Sequence, residues 1–201
     1  MLTPGVAAEP RAAPPPLVLA LGGQRSGKSS WAERRIEATG LAPVYVATAE
    51  ARDAEMRARI AHHRARRGDD WAVVEAPLEL AAAIADAGTD GRAVLVDCLT
   101  LWLTNLLVAE REVAAAVDDL EAALAARRGP VVLVSNEVGS GVIPTNALAR
   151  RFVDEAGRLH QRLAAGATEV VLVTAGLVQT LKAGSGADRP ESRPHPPPAG
   201  G

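Results

Sequence analysis

The chain has 201 residues, 22 Lys plus Arg against 24 Asp plus Glu, and a net formal charge of -2. That length suits one α/β domain, and that balance gives no bulk attraction to nucleic acid or to an anionic membrane. A single cysteine, Cys98, excludes an internal disulfide and a cysteine-based zinc site, which fits a reducing, cytoplasmic setting. No apolar run approaches the roughly 20 residues that span a bilayer, and Met1 to Pro16 lacks the apolar core of a signal peptide, so a soluble protein without membrane insertion is expected.

The two ends, residues 1–16 and 183–201, are rich in proline, glycine and alanine. Such segments bury too little apolar surface to offset the entropy of ordering and are expected to be a disordered arm and tail. The folded domain is expected over 17–182. Within it, short apolar runs alternate with helical patterns, the signature of parallel strands buried on both faces and joined by helical crossovers. In chain order the pattern predicts a strand at Leu17 to Leu21, a helix at Lys28 to Ala38, and a strand at Pro43 to Ala47. A helix at Asp53 to Arg66, a strand at Ala72 to Glu75 and a helix at Leu78 to Asp86 follow. Next come a strand at Ala93 to Asp97, a helical piece at Leu99 to Val108, a helix at Val113 to Arg128 and a strand at Val131 to Ser135. The series ends with a helix at Asn146 to Ala164 and a strand at Glu169 to Thr174.

The most specific motif joins the first strand to the first helix. Gly22-Gly23-Gln24-Arg25-Ser26-Gly27-Lys28-Ser29 has the spacing at which successive backbone N–H groups wrap a β-phosphate while the lysine reaches the β and γ oxygens. Ser29 is then placed to ligate magnesium, and the helix that follows adds its positive end. Such a site needs an acidic residue ending a neighbouring strand to hold the metal through water, and Asp97 supplies it.

A pair of histidines stands further on. On a helix from Asp53, Met56 and Ile60 share a face, and 100° per residue brings His63 to within about 20° of Met56, while His62 points round the side. An inward His63 is also what a core histidine bonded to backbone would look like, so periodicity alone does not give it a role. Arg64, Arg66 and Arg67 follow at once and read equally as a phosphate clamp or as a solvated basic helix end.

Four stretches taken together carry a resemblance: GGQRSGKS; YVATAEARDAEMRARIAHHRARRGDDWAVVEAP; LVDCLTLWLTNLL; and VSNEVGSGVIPTNALARRFVDEAGRLHQRLA. They resemble the bifunctional adenosylcobinamide kinase/adenosylcobinamide-phosphate guanylyltransferase family of cobalamin synthesis, across nearly the whole folded span. The resemblance implies a RecA-like P-loop α/β fold with a largely parallel sheet, and a homotrimer. It implies two reactions: phosphorylation of adenosylcobinamide by ATP or GTP, then transfer of GMP from GTP to adenosylcobinamide phosphate, giving adenosylcobinamide-GDP and pyrophosphate, with Mg2+ as the metal. By residue-by-residue match His63 carries the covalent GMP and Lys28 acts on the phosphates. Ala47, Thr48 and Ala49, the run Arg64-Ala65-Arg66-Arg67, Glu75 and Asp97 line the nucleotide site. Two rival readings remain at this level: a simple small-molecule kinase with structural histidines, and a nucleotide-dependent switch.

Overall fold

The computed structural model describes residues 14–49 and 70–183. The expected helix at Asp53 to Arg66, and with it His62, His63, Arg64, Ala65, Arg66 and Arg67, lies outside the described residues, as do most of the two proline-rich ends.

The elements in order are β1 (Leu17–Gly22), α1 (Lys28–Glu37), β2 (Ala42–Ala47), β3 (Ala72–Glu75), α2 (Leu80–Ala87) and β4 (Arg92–Asp97). They continue with α3 (Leu99–Val108), α4 (Val113–Ala126), β5 (Val131–Asn136), α5 (Ala147–Gly166), β6 (Glu169–Thr174) and β7 (Leu177–Lys182). The described residues form one seven-stranded sheet in the order β3-β2-β4-β5-β1-β6-β7, parallel throughout except for the antiparallel pair of β6 and β7. This is the expected α/β architecture, and it puts the carboxyl ends of β1 to β6 along one edge, where open α/β sheets bind ligands.

The near-continuous apolar strands follow from burial on both faces. Leu17 and Leu19 of β1, Val44 and Val46 of β2, and Val94 and Val96 of β4 pack with Leu80, Ile84, Leu99, Trp102, Leu120 and Leu159 of the helices on one side. Their neighbours Val18, Ala20, Tyr45, Ala93 and Leu95 pack with Ala32 and Ile36 of α1 on the other. Alternation of side chains along a strand makes this division automatic.

Several bounds differ from the sequence expectation by one or two residues, α5 ending at Gly166 where Ala164 was expected, and three differences have a visible physical reason. The helix after β3 begins at Leu80, not Leu78, because the Pro77 and Leu78 carbonyls are taken by side chains of α3. The helix expected to reach Arg128 ends at Ala126, since Arg127 is extended and the Arg128 N–H donates to the Gly88 carbonyl at 2.8 Å. Strand β7 has no counterpart in the expected elements. All six of its residues are exposed, and the turn into it, Ala175-Gly176 with φ of 52° and 79°, makes the two-residue hairpin without the Asn-Gly pair that would advertise it.

Candidate active site

The phosphate loop leaves β1, which lies inside the sheet between β5 and β6, and enters α1. A Cβ on Gly22 would lie 2.4 Å from the Val173 carbonyl oxygen, so only glycine fits beside β6. Gly27 has φ 96°, the left-handed conformation that glycine adopts without strain. It caps α1 with no side-chain acceptor, leaving first-turn N–H groups to serve an anion. Two neighbours tether the loop: the Glu137 N–H donates to the Gly22 carbonyl at 3.0 Å and the Gly176 N–H to the Ser26 carbonyl at 2.8 Å.

Lys28 is buried, and its Nζ donates to the Gly23 carbonyl at 3.0 Å, back across the loop. Burial holds its pKa below the ordinary lysine range, opposed by Cys98 and Asp97. A desolvated ammonium folded over its own loop gains when phosphate oxygens arrive to pair with it.

Asp97 ends β4, with β5 between it and β1. At a strand spacing of about 4.8 Å it stands roughly 10 Å from the β1 axis, and its charge is felt at Lys28. The Tyr45 hydroxyl donates to its Oδ2 at 3.3 Å. The described residues contain no group of three or more His, Cys, Asp or Glu that could cage a metal. One carboxylate and the Ser29 hydroxyl at the start of α1 instead suit magnesium, which keeps waters and takes phosphate oxygens as its remaining ligands.

The other expected residues divide. Ala47 ends β2 next to Asp97 in register, and Ala49 is half-buried. Thr48 is 0% exposed, and its hydroxyl donates to the Cys98 carbonyl at 2.7 Å while accepting from the Cys98 N–H at 2.8 Å. It therefore stands under the site and has no free hydroxyl to present to a nucleotide. Glu75 is exposed at the end of β3, the outermost strand and four positions from β1, so it is not brought to the phosphate loop: the separation is about 19 Å.

Several polar residues stand at this edge besides the site residues assigned above. The Cys98 thiol is buried, lies 2.8 Å from the Thr100 Oγ1, and is pushed up in pKa by burial and by Asp97; it is a protonated structural thiol. The Asn136 amide, beside Gly22 in register, donates to the Thr100 hydroxyl at 2.9 Å. His160 of α5 places Nε2 2.7 Å from the Ser135 Oγ; burial lowers its pKa against the opposing charge of Glu137. The Glu137 carboxylate accepts from the Gly139 N–H at 2.6 Å and the Ser140 hydroxyl at 3.3 Å, which shapes the glycine-rich loop leaving β5.

With this geometry established, similarity to known proteins decides the family. The CobU family, described as cobinamide kinase / cobinamide phosphate guanyltransferase, matches residues 18–181. The chain belongs to this family. It is 50% identical over 166 residues, covering 82% of this chain and 96% of the relative, to the bifunctional adenosylcobalamin biosynthesis protein CobP of Pseudomonas aeruginosa. It is 42% identical over 184 residues, covering 83% and 99%, to the bifunctional adenosylcobalamin biosynthesis protein CobU of Salmonella typhimurium. Among solved structures, the RadB recombinase superposes with a TM-score of 0.44 at 18% identity, covering 80% of this chain and 74% of that one. As a CobU-family member the chain is an enzyme of cobalamin biosynthesis, a kinase and guanylyltransferase. No helix among the described residues is long and apolar enough to cross a membrane.

Proposed function

We propose that this chain phosphorylates the aminopropanol hydroxyl of adenosylcobinamide with ATP or GTP and then transfers GMP from GTP to the phosphate so formed. The products of the second step are adenosylcobinamide-GDP and pyrophosphate, and a GMP group held on His63 is the intermediate. The observation that carries the reading is the buried, desolvated Lys28 folded across a glycine-tight phosphate loop and in the field of Asp97, in a chain of this family.

In the first step, loop N–H groups and Lys28 hold the β- and γ-phosphates in line with the incoming hydroxyl. Ser29, and Asp97 through water, would hold the magnesium ion, which when bound neutralises charge on the phosphates. In the second step a neutral imidazole nitrogen of His63 attacks the α-phosphorus of GTP, the bond to the β-phosphate oxygen breaks and pyrophosphate leaves. The substrate phosphate then displaces the histidine and takes the GMP. Histidine, with a reference pKa of about 6.5, is largely neutral at pH 7. The run Arg64-Ala65-Arg66-Arg67 supplies cations for the departing phosphates, while Ala47, Ala49 and Glu75 belong to the nucleoside side of the site. A cytoplasmic homotrimer belongs to the same reading.

The test is to separate the two steps. His63→Ala is expected to abolish guanylyl transfer while adenosylcobinamide phosphate still forms. Formation of adenosylcobinamide-GDP at the wild-type rate by that variant would remove the histidine from the mechanism.

A further inference from the structure

The carboxyl edge of β2, β3 and β4 is completed by side chains. Between β2 and β4 the Thr48 N–H reaches the Asp97 carbonyl at 3.3 Å, and between β2 and β3 the Ala76 N–H reaches the Ala47 carbonyl at 2.8 Å. Beyond these rungs Pro77 has no N–H to offer, yet the connections continue. The Thr48 hydroxyl both donates to and accepts from the backbone of Cys98, replacing the next rung toward β4. The Asn105 Nδ2 donates one proton to the Thr48 carbonyl at 2.8 Å and the other to the Pro77 carbonyl at 3.0 Å, replacing the next rung toward β3. Asn105 is 6% exposed and sits on α3 among buried Leu99, Trp102, Leu103 and Leu106. A buried amide in such company requires partners for its N–H groups, and here they are the two carbonyls that the sheet leaves over.

We propose that Asn105 and Thr48 form a clasp that positions Asp97, making both positioning residues for the nucleotide reactions. Asp97 is covalently joined to Cys98, whose N–H and C=O are both bonded by the Thr48 hydroxyl, the carbonyl also accepting from the Leu101 and Trp102 N–H groups at 3.1 and 3.2 Å, and Thr48 is in turn held by Asn105. The clasp fixes the backbone from which the Asp97 carboxylate projects; Tyr45 steadies the carboxylate itself. Among the described residues, none of the hydrogen bonds made by Thr48 and Asn105 reaches β1 or the phosphate loop. Loss of the clasp therefore weakens what Asp97 does and spares the binding of phosphate by the loop. This inference rests on Asp97 being the metal partner.

The experiment uses the full chain and four variants: Thr48→Val, Thr48→Ser, Asn105→Ser and Asp97→Asn. Calorimetry measures Mg2+ binding to the complex with a non-hydrolysable GTP analogue, and a parallel titration measures analogue binding in EDTA. Thr48→Val and Asn105→Ser are expected to weaken Mg2+ binding by roughly tenfold or more, the range seen when the partner that orients a metal ligand is lost. Analogue affinity in EDTA is expected to stay unchanged, and Thr48→Ser, which keeps the hydroxyl, to restore Mg2+ binding. A role confined to stability predicts the opposite: lowered melting temperature with wild-type Mg2+ affinity. Asn105→Ser carries the test should Thr48→Val fail to fold. Weakened Mg2+ binding in Asp97→Asn together with wild-type binding in folded Thr48→Val or Asn105→Ser overturns the clasp. Wild-type Mg2+ binding in Asp97→Asn overturns the metal role of Asp97 on which the clasp rests.

Discussion

The two halves of the described site are built by opposite means. The phosphate loop is made from eight consecutive residues, and its shape is set by backbone: Gly22 against β6, Gly27 in the left-handed region, Lys28 folded onto Gly23. The Asp97 edge is made from side chains far apart in sequence, with Thr48 bonded to Cys98 across 50 residues and Asn105 to Thr48 across 57. A site assembled locally tolerates little change in its own residues, whereas one assembled from distant side chains depends on residues that never meet the ligand.

Substitutions can break this contrast, and the largest effect belongs to the loop. Lys28→Ala is expected to lower turnover in both reactions by roughly 10²–10³-fold, the range for loss of a donor that stabilises developing charge. Steady-state rates with ATP and with GTP check this, and unchanged GTP affinity and turnover would sink the phosphate-loop reading. Next in size is Gly22→Ala, whose new methyl would sit 2.4 Å from the Val173 carbonyl and 2.6 Å from the Ser26 Oγ. Forced overpacking of this kind costs about 1–3 kcal/mol, so a melting temperature lower by roughly 3–10 °C is expected with weakened nucleotide binding. A variant with the wild-type melting temperature would show that the strand pair opens freely there.

The smallest effect lies behind the sheet edge. His160 faces Ser135 and Glu137, and burial holds its pKa below the ordinary histidine value. A group whose pKa is lower in the folded state binds its proton more readily when unfolded, so its penalty is absent above pH 6.5 and grows as pH falls from there toward the folded pKa. Wild-type protein is therefore expected to lose more stability than His160→Gln between pH 7.5 and 5.5. Parallel melting curves across that range would contradict the buried neutral imidazole.

The contrast also explains what the sequence disclosed. The loop and the strands and helices around it were legible because glycine spacing, apolar runs and helical periodicity are local signals. The α5 start at Asn146 was legible for the same reason: its side chain accepts from Leu148 and Ala149 N–H groups, as a capping residue does. Asn105 reads only as a polar interruption in LTLWLTNLLV, because the two carbonyls it satisfies come from other elements. Thr48 appeared as a residue lining the nucleotide site, and Glu75 as a second carboxylate of that site. Neither the burial of the first nor the roughly 19 Å separation of the second can be known until strand order is fixed. Strand β7 escaped because an exposed edge strand has no apolar run, and its turn uses Ala-Gly.

One chain is proposed to use the phosphate loop and a histidine nucleophile in sequence. Intact-protein mass spectrometry after incubation with Mg2+ and GTP tests it most directly, with peptide mapping under conditions that spare acid-labile phosphoramidates. A GMP-sized adduct that maps to His63 and disappears in His63→Ala is expected. Absence of any adduct in wild-type protein shown to bind GTP, or an adduct mapping elsewhere, would contradict it.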